Sequence, residues 1–432
     1  MNNQKGSILA ITIALVLIFA LFGLSAIYVS GLQNEAMVKQ IASTEAFWLA
    51  EGGLNKGIWE LNNGSGSWPG WDSIGGGDYE TSNPTLLSDD GYYDIRVNSS
   101  GGTNPTVLAY GYIPVDGTIS KDGNNLAKRV VEVRLSKNTF SYGIMGKEYI
   151  KMGGNAMTDS YNSTNGDYNK TYYIDGNPYN NIANNGDVAT NGNITLIGNA
   201  YIAGDVSIGP NGTFTGNASQ VNGTITNNSN IFLPPVVVPQ TLKEAPYTVN
   251  GTVKAPTTLN GLGSYNNPIT GDNKFEAISV TSDKLVIRGP ANIYLTNSNS
   301  LDISGTGAFD ISNSTGTVNI YTDGNVKIAG QGIISTATNS TENFILYDTG
   351  SNPQTKTFQI DLTGSSTFFG AIYAPESNIT VTGKSDGFDI YGALIGNSIT
   401  IGGNGFIHYD EALANKTFGN KTYSLQSWQE IY

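Results

Sequence analysis

The chain has no cysteine, a single histidine and few charged residues. Charged side chains make up 13% of its 432 residues, and proline accounts for only 15; about 25% charged is usual. Without cysteine there is no disulfide and no thiolate metal site. The low proline content excludes a proline-rich linker. Any Ser-His-Asp arrangement has to use His408.

Positive charge is also scarce. The net charge of -13 argues against nucleic acid as a partner, because phosphate binding requires a basic surface. Aromatic residues reach 10%, more than is typical of a disordered chain. The composition therefore predicts a folded protein whose surface is polar mainly through Asn, Ser and Thr.

One long hydrophobic run stands near the start. No charged residue lies between Lys5 and Glu35, and 8–29 is almost wholly apolar. Twenty-two helical residues span about 33 Å, enough for a bilayer core of about 30 Å. A cleavable secretory signal, with a candidate site at 24–26, is the alternative, but its apolar stretch is usually only about 7–15 residues long. We predict a transmembrane helix.

The helix is expected to continue beyond the hydrophobic run, to about residue 62. Apolar residues recur at three- and four-residue steps, which is typical of one buried helix face; they are Phe47, Ala50, Leu54, Ile58 and Leu61. A second, looser stripe contains Met37, Ile41 and Trp48. The Gly52-Gly53 pair could bend the helix, since each Gly costs about 1 kcal/mol. A simple membrane anchor with a stalk is the alternative.

The first 60 residues resemble a known family. MNNQKG followed by Ser7 and the apolar helix resembles a type IV prepilin leader, and ASTEAFWLAEGGL (42–54) resembles the stretch after the helix in PilX-like minor pilins. The resemblance implies that prepilin peptidase removes the leader, 1–6, by cutting between Gly6 and Ser7. It also implies that the helix, 7–62, anchors a single-pass precursor in the cytoplasmic membrane, with the head outside the cytoplasm. After cleavage the helix would pack against other pilin or pseudopilin subunits at the cell surface.

One position departs from the major pilins. They carry Glu at the fifth mature position, where this chain has Ile11. In that family the carboxylate pairs with the amine of a neighbouring subunit and offsets the cost of placing charge in lipid. The resemblance therefore implies a minor component rather than the bulk subunit.

After a turn-rich break at 62–74, three short alternating runs predict a small antiparallel sheet. They contain Tyr93 to Val97, TVLAYGYIPV (106–115) and Val131 to Leu135. We place a small pilin-like β unit at 63–140.

Beyond this unit, apolar–polar–apolar triplets recur every eight or nine residues. They begin at Leu285, Ile293, Leu301, Phe309, Val318 and Val326. The alternation is that of strands with one buried face, and the fixed period predicts a β-solenoid with three sides and about 24 residues per coil. We assign it to 141–432, with an insertion or crossover near 231–280, where IFLPPVVVPQ interrupts the pattern.

This region resembles polymer-forming, bactofilin-like β-helix domains that are appended to PilX-like helices. The likeness rests on DSYNSTNGDYN (159–169), GDVATNG (186–192) and GFIHYDEAL (405–413). It implies an architecture rather than a particular chemistry.

His408 is the only candidate for catalytic chemistry. It could act as a base or metal ligand with Asp410 and Glu411, or it could belong to a cap that closes the last coil and hides its unpaired edge. We favour the cap. Asp302 and Asp310 are eight residues apart and should lie on different sides of a coil, so they do not predict a paired-acid site. DSYNSTNGD (159–167) lacks the spacing of a calcium loop and is interpreted as a turn.

We therefore predict a mainly β protein with a long N-terminal transmembrane helix, a small antiparallel unit and a large β-solenoid. The expected role is that of a non-enzymatic minor pilin or pseudopilin at a filament tip, in assembly priming or adhesion. No catalytic, cofactor or metal residues are predicted, and surface carbohydrate is a candidate partner. The alternative is a membrane-anchored, polysaccharide-binding or polysaccharide-cleaving β-helix protein.

Overall fold

The structure is a computed structural model. It describes residues 4–63, 70–88, 91–98, 104–115, 125–137, 139–169, 171–174, 177–227, 229–255, 261–329, 332–334, 340–350, 359–364, 367–418 and 423–431. The protein is mainly β, with 52% of residues in strands, one long N-terminal helix, an antiparallel sheet and a large parallel sheet. The chain forms two compact units, 1–137 with 423–432, and 138–422.

The first unit combines helix α1 (Gln4–Asn63) with the antiparallel sheet. Its strands, numbered with the others in chain order, are β1 (Trp71–Gly75), β2 (Asp78–Thr81), β3 (Thr85–Ser88), β4 (Gly91–Asn98), β5 (Thr106–Pro114), β6 (Asn125–Lys137) and β28 (Tyr423–Ile431). The sheet order is β1-β2-β4-β5-β6-β28, with β3 paired to β4. The three alternating runs found in the sequence form β4, β5 and β6, and they pair antiparallel as predicted.

The C-terminal half of α1 lies on this sheet through small residues. Ala46 and Ala50 are fully buried, and they face Gly111 on β5. A Cβ atom on Gly111 would lie only 1.8 Å from the carbonyl oxygen of Ala46. The absence of a side chain at Gly111 thus lets the helix backbone approach the strand closely.

Strand β28 comes from the far end of the chain. It pairs antiparallel with β6, from Tyr423 opposite Lys137 to Ile431 opposite Val130. The sequence pattern instead assigns these residues to the solenoid. Strand pairing over this separation uses backbone hydrogen bonds, which carry no side-chain signature, and YSLQSWQEI alternates too weakly to reveal its partner.

The second unit is a parallel β-solenoid. Its strands are β7 (Ile144–Met152), β8 (Met157–Tyr161), β9 (Thr171–Ile174), β10 (Asn177–Asn180), β11 (Val188–Thr190), β12 (Asn193–Leu196), β13 (Tyr201–Ile202), β14 (Val206–Ile208), β15 (Phe214–Thr215), β16 (Ile225–Thr226), β17 (Val249–Ala255), β18 (Ile269–Val280), β19 (Lys284–Leu295), β20 (Asn299–Ile303), β21 (Ala308–Asp310), β22 (Val318–Thr322), β23 (Asn325–Ile328), β24 (Gly332–Ile334), β25 (Phe344–Asp348), β26 (Gln359–Gly364) and β27 (Thr367–Asp410). Helix α2 spans Gln240–Glu244, and 3₁₀ turns lie at Ser163–Asn165, Ala218–Gln220, Thr341–Asn343 and Glu411–Asn415. All of these strands except the β9–β10 hairpin belong to one sheet.

The predicted triplets form the three sides of the coils. Ile293 pairs in register with Ile320, and Leu301 with Val326, so each triplet stacks on the one that follows a full coil later. The first and third residues of each triplet point inward, and they belong to one continuous apolar core. Tyr294, a middle residue, points outward and packs in a separate cluster with Tyr321 and Tyr347.

The coils do not stack in chain order. From β7 and β8 the chain winds outward through β11–β13 to β14–β16, and it then enters a segment without strands, residues 229–248, which we call the crossover segment. It re-enters the sheet at β17 and winds back until the end of β27 pairs with β7 and β8. Because Ile144 pairs with Leu394 on one side and Val188 on the other, the first coil lies inside the stack.

The crossover segment covers an apolar outer face of the coils. Leu233, Val236 and Leu242 are buried against the outward tyrosine row, and the hydroxyl of Tyr373 donates a hydrogen bond to the carbonyl of Pro234. The predicted insertion at 231–280 is therefore shorter than expected, since β17 and β18 are solenoid strands.

A substitution tests the contact between helix and sheet in the first unit. Gly111→Ala should lower the free energy of unfolding by about 1–3 kcal/mol, because the new methyl group meets helix backbone rather than a flexible side chain. Gly31→Ala is the matched control, since a Cβ there meets nothing within 4 Å. Urea unfolding of the detergent-solubilised chain, followed by circular dichroism, measures both. Equal stability of the two variants would contradict the close approach.

A disulfide tests the order of the coils. Thr400 and Lys151 are register partners 249 positions apart, and the chain has no native cysteine. Thr400→Cys with Lys151→Cys should form an intramolecular disulfide on oxidation, seen as faster migration in non-reducing electrophoresis. In the control, Asp302→Cys replaces Thr400→Cys. Asp302 is three coil steps from Thr380 on β27, through its register partners Lys327 and Asp361. At about 4.8 Å a step, a cysteine at 302 is farther from β27 and from the β7 strand that follows it than the Cα–Cα distance of about 7 Å that a disulfide allows. Cross-linking of the control alone would contradict the stacking.

Candidate functional site

The N-terminal part of α1 presents an apolar surface from Leu9 to Val29, and charged residues follow it at Glu35 and Lys39. Every residue from Leu9 to Ile41 is exposed. In the part of the chain that the structure describes, α1 is the one helix long and apolar enough, by length and composition, to cross a membrane. Among the described residues, none is packed against the first half of the helix, whereas the second half carries the sheet.

The predicted stripe is the face that meets the sheet. Ala50, Leu54 and Leu61 are buried, and Phe47 and Ile58 pack against them. The Gly52-Gly53 pair does not interrupt the helix, which is continuous from Gln4 to Asn63. Both glycines face the sheet, where a Cβ on Gly53 would lie 2.9 Å from the ring of Tyr93.

The predicted cleavage site lies in the first turn of α1. The helix begins at Gln4, so Gly6 and Ser7 have helical backbone, while residues 1–3 of the leader lie outside the described residues. Cleavage between Gly6 and Ser7 stays a prediction. Ile11 lies in the exposed apolar segment, 59% exposed.

A second candidate site surrounds His408, on the outer surface of the solenoid. The end of β27 lies beside β8, with His408 opposite Asp159. Nδ1 of His408 is 2.6 Å from Oδ1 of Asp159, and Nε2 is 3.8 Å from Oδ1 of Asp389. The hydroxyl of Tyr168 donates to the other oxygen of Asp159 at 2.6 Å. Two sequence stretches that carried the bactofilin-like resemblance, 159–169 and 405–413, therefore meet at one point.

Aromatic rings cover the imidazole. The ring of Tyr168 lies 4.0 Å from that of His408 and the ring of Tyr391 lies 4.8 Å away, both tilted. Phe369 stacks on Tyr391 at 4.7 Å. His408 is only 5% exposed, so its ring faces are occupied by its own chain.

Asp410 and Glu411 do not complete a triad with His408. Asp410 accepts hydrogen bonds from the backbone of Ser163 and from the hydroxyl of Thr341. Glu411 accepts from the hydroxyl of Ser160 at 2.8 Å. The alternative in which Asp410 and Glu411 act together with His408 is therefore not supported, because other donors already hold both carboxylates.

The charges around His408 favour its protonated form. Burial by itself would lower the pKa of His408, but hydrogen bonds and charge from Asp159 and Asp389 outweigh this and raise the pKa. Burial raises the pKa of Tyr391 to about 12, and burial with the bond to Asp159 raises the pKa of Tyr168. Both tyrosines therefore stay neutral near pH 7.

The interpretation of His408 as part of a terminal cap is also wrong. The last coil in the sequence is not the last coil in the stack, because β27 pairs with β7 and β8. Sequence reasoning missed Asp159 and Asp389 as partners. Asp159 lies 249 residues from His408, and no local spacing connects them; the only signal was that both lie in stretches that carried the same resemblance.

The other candidates keep structural roles. Asp302 and Asp310 lie on different sides of the coil, as predicted, in β20 and β21. Asp310 forms an ion pair with Arg288 at 3.4 Å. The DSYNSTNGD stretch forms a turn in which the side chain of Asn162 caps a 3₁₀ turn. Within the described ranges, no group of three or more His, Cys, Asp or Glu side chains is placed to hold a metal ion.

Comparison with known proteins covers part of the chain. A family described as a domain of unknown function, DUF7305, matches residues 275–416, which include Asp389 and His408 but not α1. No curated protein matches the chain. The crystal structure of the competence-associated pilin ComZ from Thermus thermophilus is similar at 10% sequence identity, covering 90% of this chain and 98% of that one, with a TM-score of 0.25. A TM-score this low supports no conclusion about fold or function.

Proposed function

We propose that the protein is a minor pilin or pseudopilin-like component of a type IV pilus or related filament. The observation that carries the proposal is the division of α1. Its first half exposes the apolar side chains of the segment from Leu9 to Val29, whereas its second half packs on an antiparallel sheet. Burying such a surface in water-free surroundings is strongly favourable, at about 25 cal/mol per Å².

Two environments suit the exposed half of the helix in turn. The bilayer core accepts it in the precursor, since the apolar segment is long enough to span it. A filament core made of the helices of other subunits accepts it after processing. The precursor would then be a single-pass protein of the cytoplasmic membrane, with both folded units outside the cytoplasm.

The leader assigns a second partner, prepilin peptidase. Lys5 and Gly6 precede the apolar segment directly, as the resemblance to prepilins requires. Cleavage after Gly6 would leave Ser7 as the mature N-terminus and free the helix for assembly.

Co-expression with a prepilin peptidase tests this step. The mature protein should begin at Ser7, as measured by N-terminal sequencing. Gly6→Leu should block processing, because the resemblance assigns the residue before the cut to Gly, and Asn3→Ala is the control that leaves the site intact. A start at Met1 in the presence of active peptidase, or just after Ala26, would overturn the pilin assignment.

The protein is proposed to occupy few positions, at or near the tip. Ile11 supplies no carboxylate to a neighbouring amine. The solenoid unit, 138–422, is also large for a head that repeats along a shaft. The stack has β17 at one end and β16 at the other, and successive coils between them are joined by register pairs. At roughly 4.8 Å from one coil to the next, the stack is about 50 Å long. Copies at every shaft position would collide.

Immunogold labelling of purified filaments with an antibody against the solenoid tests this placement. Label should lie at filament ends, while an antibody against the major subunit labels the whole shaft. Dense solenoid label along the shaft would refute tip placement, and filaments without solenoid label would leave only a membrane-anchored protein.

We further propose that the role is structural, in assembly priming or adhesion, rather than enzymatic. The single imidazole is enclosed by aromatic rings and its carboxylate partner Asp159 is also buried, 5% exposed, so a substrate has no approach to this pair. Surface carbohydrate is the partner that an adhesive solenoid would contact.

A further inference from the structure

The second apolar stripe of α1 lies on the side of the helix that faces away from the sheet. At about 100° per residue, Met37, Ile41 and Trp48 fall within about 40° of one another around the helix axis. The alanines that meet the sheet, Ala46 and Ala50, lie on the opposite side and are fully buried. The three stripe residues are instead 59%, 58% and 65% exposed.

A bilayer does not account for this exposure. When residues 9–29 fill the bilayer core, Met37 and Trp48 lie about 12 Å and 28 Å beyond its edge, at about 1.5 Å per residue. The polar layer of the bilayer is only about 5–8 Å thick on each side, so these side chains lie in water. A contiguous apolar stripe exposed to water marks an interaction surface.

The spacing of the stripe is that of a helix that packs against another helix. Steps of four, three and four residues join Met37, Ile41, Thr44 and Trp48, which is the alternation of a and d positions in a heptad repeat. Asn34 stands at the preceding a position, and a single Asn there specifies the register and the number of helices. A groove runs along this side of the helix, lined by Met37, Gln40, Ile41, Thr44, Glu45 and Trp48.

We propose that these five heptad positions, from Asn34 to Trp48, pair with the same positions of a second copy of the chain in a parallel, two-stranded coiled coil. The inference rests on the proposed insertion of α1 in the membrane, but not on the role in a filament. Two copies inserted in the same direction have parallel helices, so a two-fold axis along the helices places each seam residue opposite itself. The seam continues into the apolar segment through Ser30 and Ile27.

The residues that flank the seam favour a second copy as the partner. In a parallel, in-register pair, each g position faces the e position five residues later on the other helix. Gln40 then faces Glu45 of the second copy, and its amide can donate to that carboxylate. Glu35 and Lys39 point away from the seam and pair with each other at 2.8 Å. Along 34–48, no carboxylate of one copy therefore faces a carboxylate of the other.

Cysteine cross-linking in membranes tests the pairing. The chain has no native cysteine, so a single substitution reports one position. Helix axes about 10 Å apart and a Cα radius of about 2.3 Å bring facing Cα atoms to roughly 5–6 Å, within the reach of a disulfide. When the full chain is produced alone in a bacterial host, Thr44→Cys should form a disulfide-linked dimer on mild oxidation. Lys39→Cys, also exposed but on the opposite side of the helix, should give about tenfold less dimer.

A charge in the seam provides a second measurement. In the Thr44→Cys chain, adding Ile41→Glu should lower the yield of dimer about tenfold, because two carboxylates would then face each other between the helices. Ile41 is exposed, so the contact with the sheet stays intact. Adding Lys39→Glu instead is the matched control and should leave the yield unchanged.

The outcomes separate this inference from the proposed function. If the chain stays in the membrane pellet after alkaline extraction but Thr44→Cys is monomeric, or no more cross-linked than Lys39→Cys, the pairing is refuted and membrane insertion stands. A staggered contact with helices of other subunits would give that monomeric result, because no cysteine would lie opposite position 44. Release of the chain by alkaline extraction would refute membrane insertion, and the inference with it.

Discussion

The parallel pairing of β27 with β7 and β8 is the constraint on which the solenoid depends. These strands pair residues that are 249 or 250 positions apart, and the pairing joins two groups of coils into one stack. Without this ladder, the first and last coils would each present an unpaired edge with an apolar core behind it. The contacts of His408 with Asp159 and Tyr168 also cross this junction.

The crossover segment follows from the same constraint. Since the solenoid part of the chain begins inside the stack, at β7, the chain has to run from one end of the solenoid to the other before it can wind back. The prolines of IFLPPVVVPQ suit a path that donates few ladder hydrogen bonds. Its apolar residues, such as Leu233 and Leu242, bury the outward tyrosine row, which would otherwise be an exposed aromatic patch on the coils.

The first unit depends on the close approach of helix α1 to the antiparallel sheet. Gly111, Gly53 and the alanines of α1 let the helix lie against the sheet with little space between backbones. Strand β28 then extends the sheet beside β6, and Trp428 on that strand donates to Glu51 on the helix at 2.8 Å. The packed half of α1 is thereby fixed to the sheet, while the apolar half stays exposed.

The features that rest on local periodicity can be predicted from the amino-acid sequence alone. The apolar run, the stripe from Phe47 to Leu61 and the triplets from Leu285 to Val326 predict the helix, its buried face and the three-sided coils, because side-chain direction repeats with the backbone. The sequence also singled out His408, which it assigned to a terminal cap, with a site shared with Asp410 and Glu411 as the alternative. Three features depend instead on the pairing of strands that are distant in the chain. Asp159 and Asp389 are the partners of His408, the first coil is internal, and β28 joins the sheet on which the helix packs. Periodicity alone does not show the order in which parallel coils of similar spacing stack. The order depends on the fit of corners, bulges and side chains between coils that are distant in the chain.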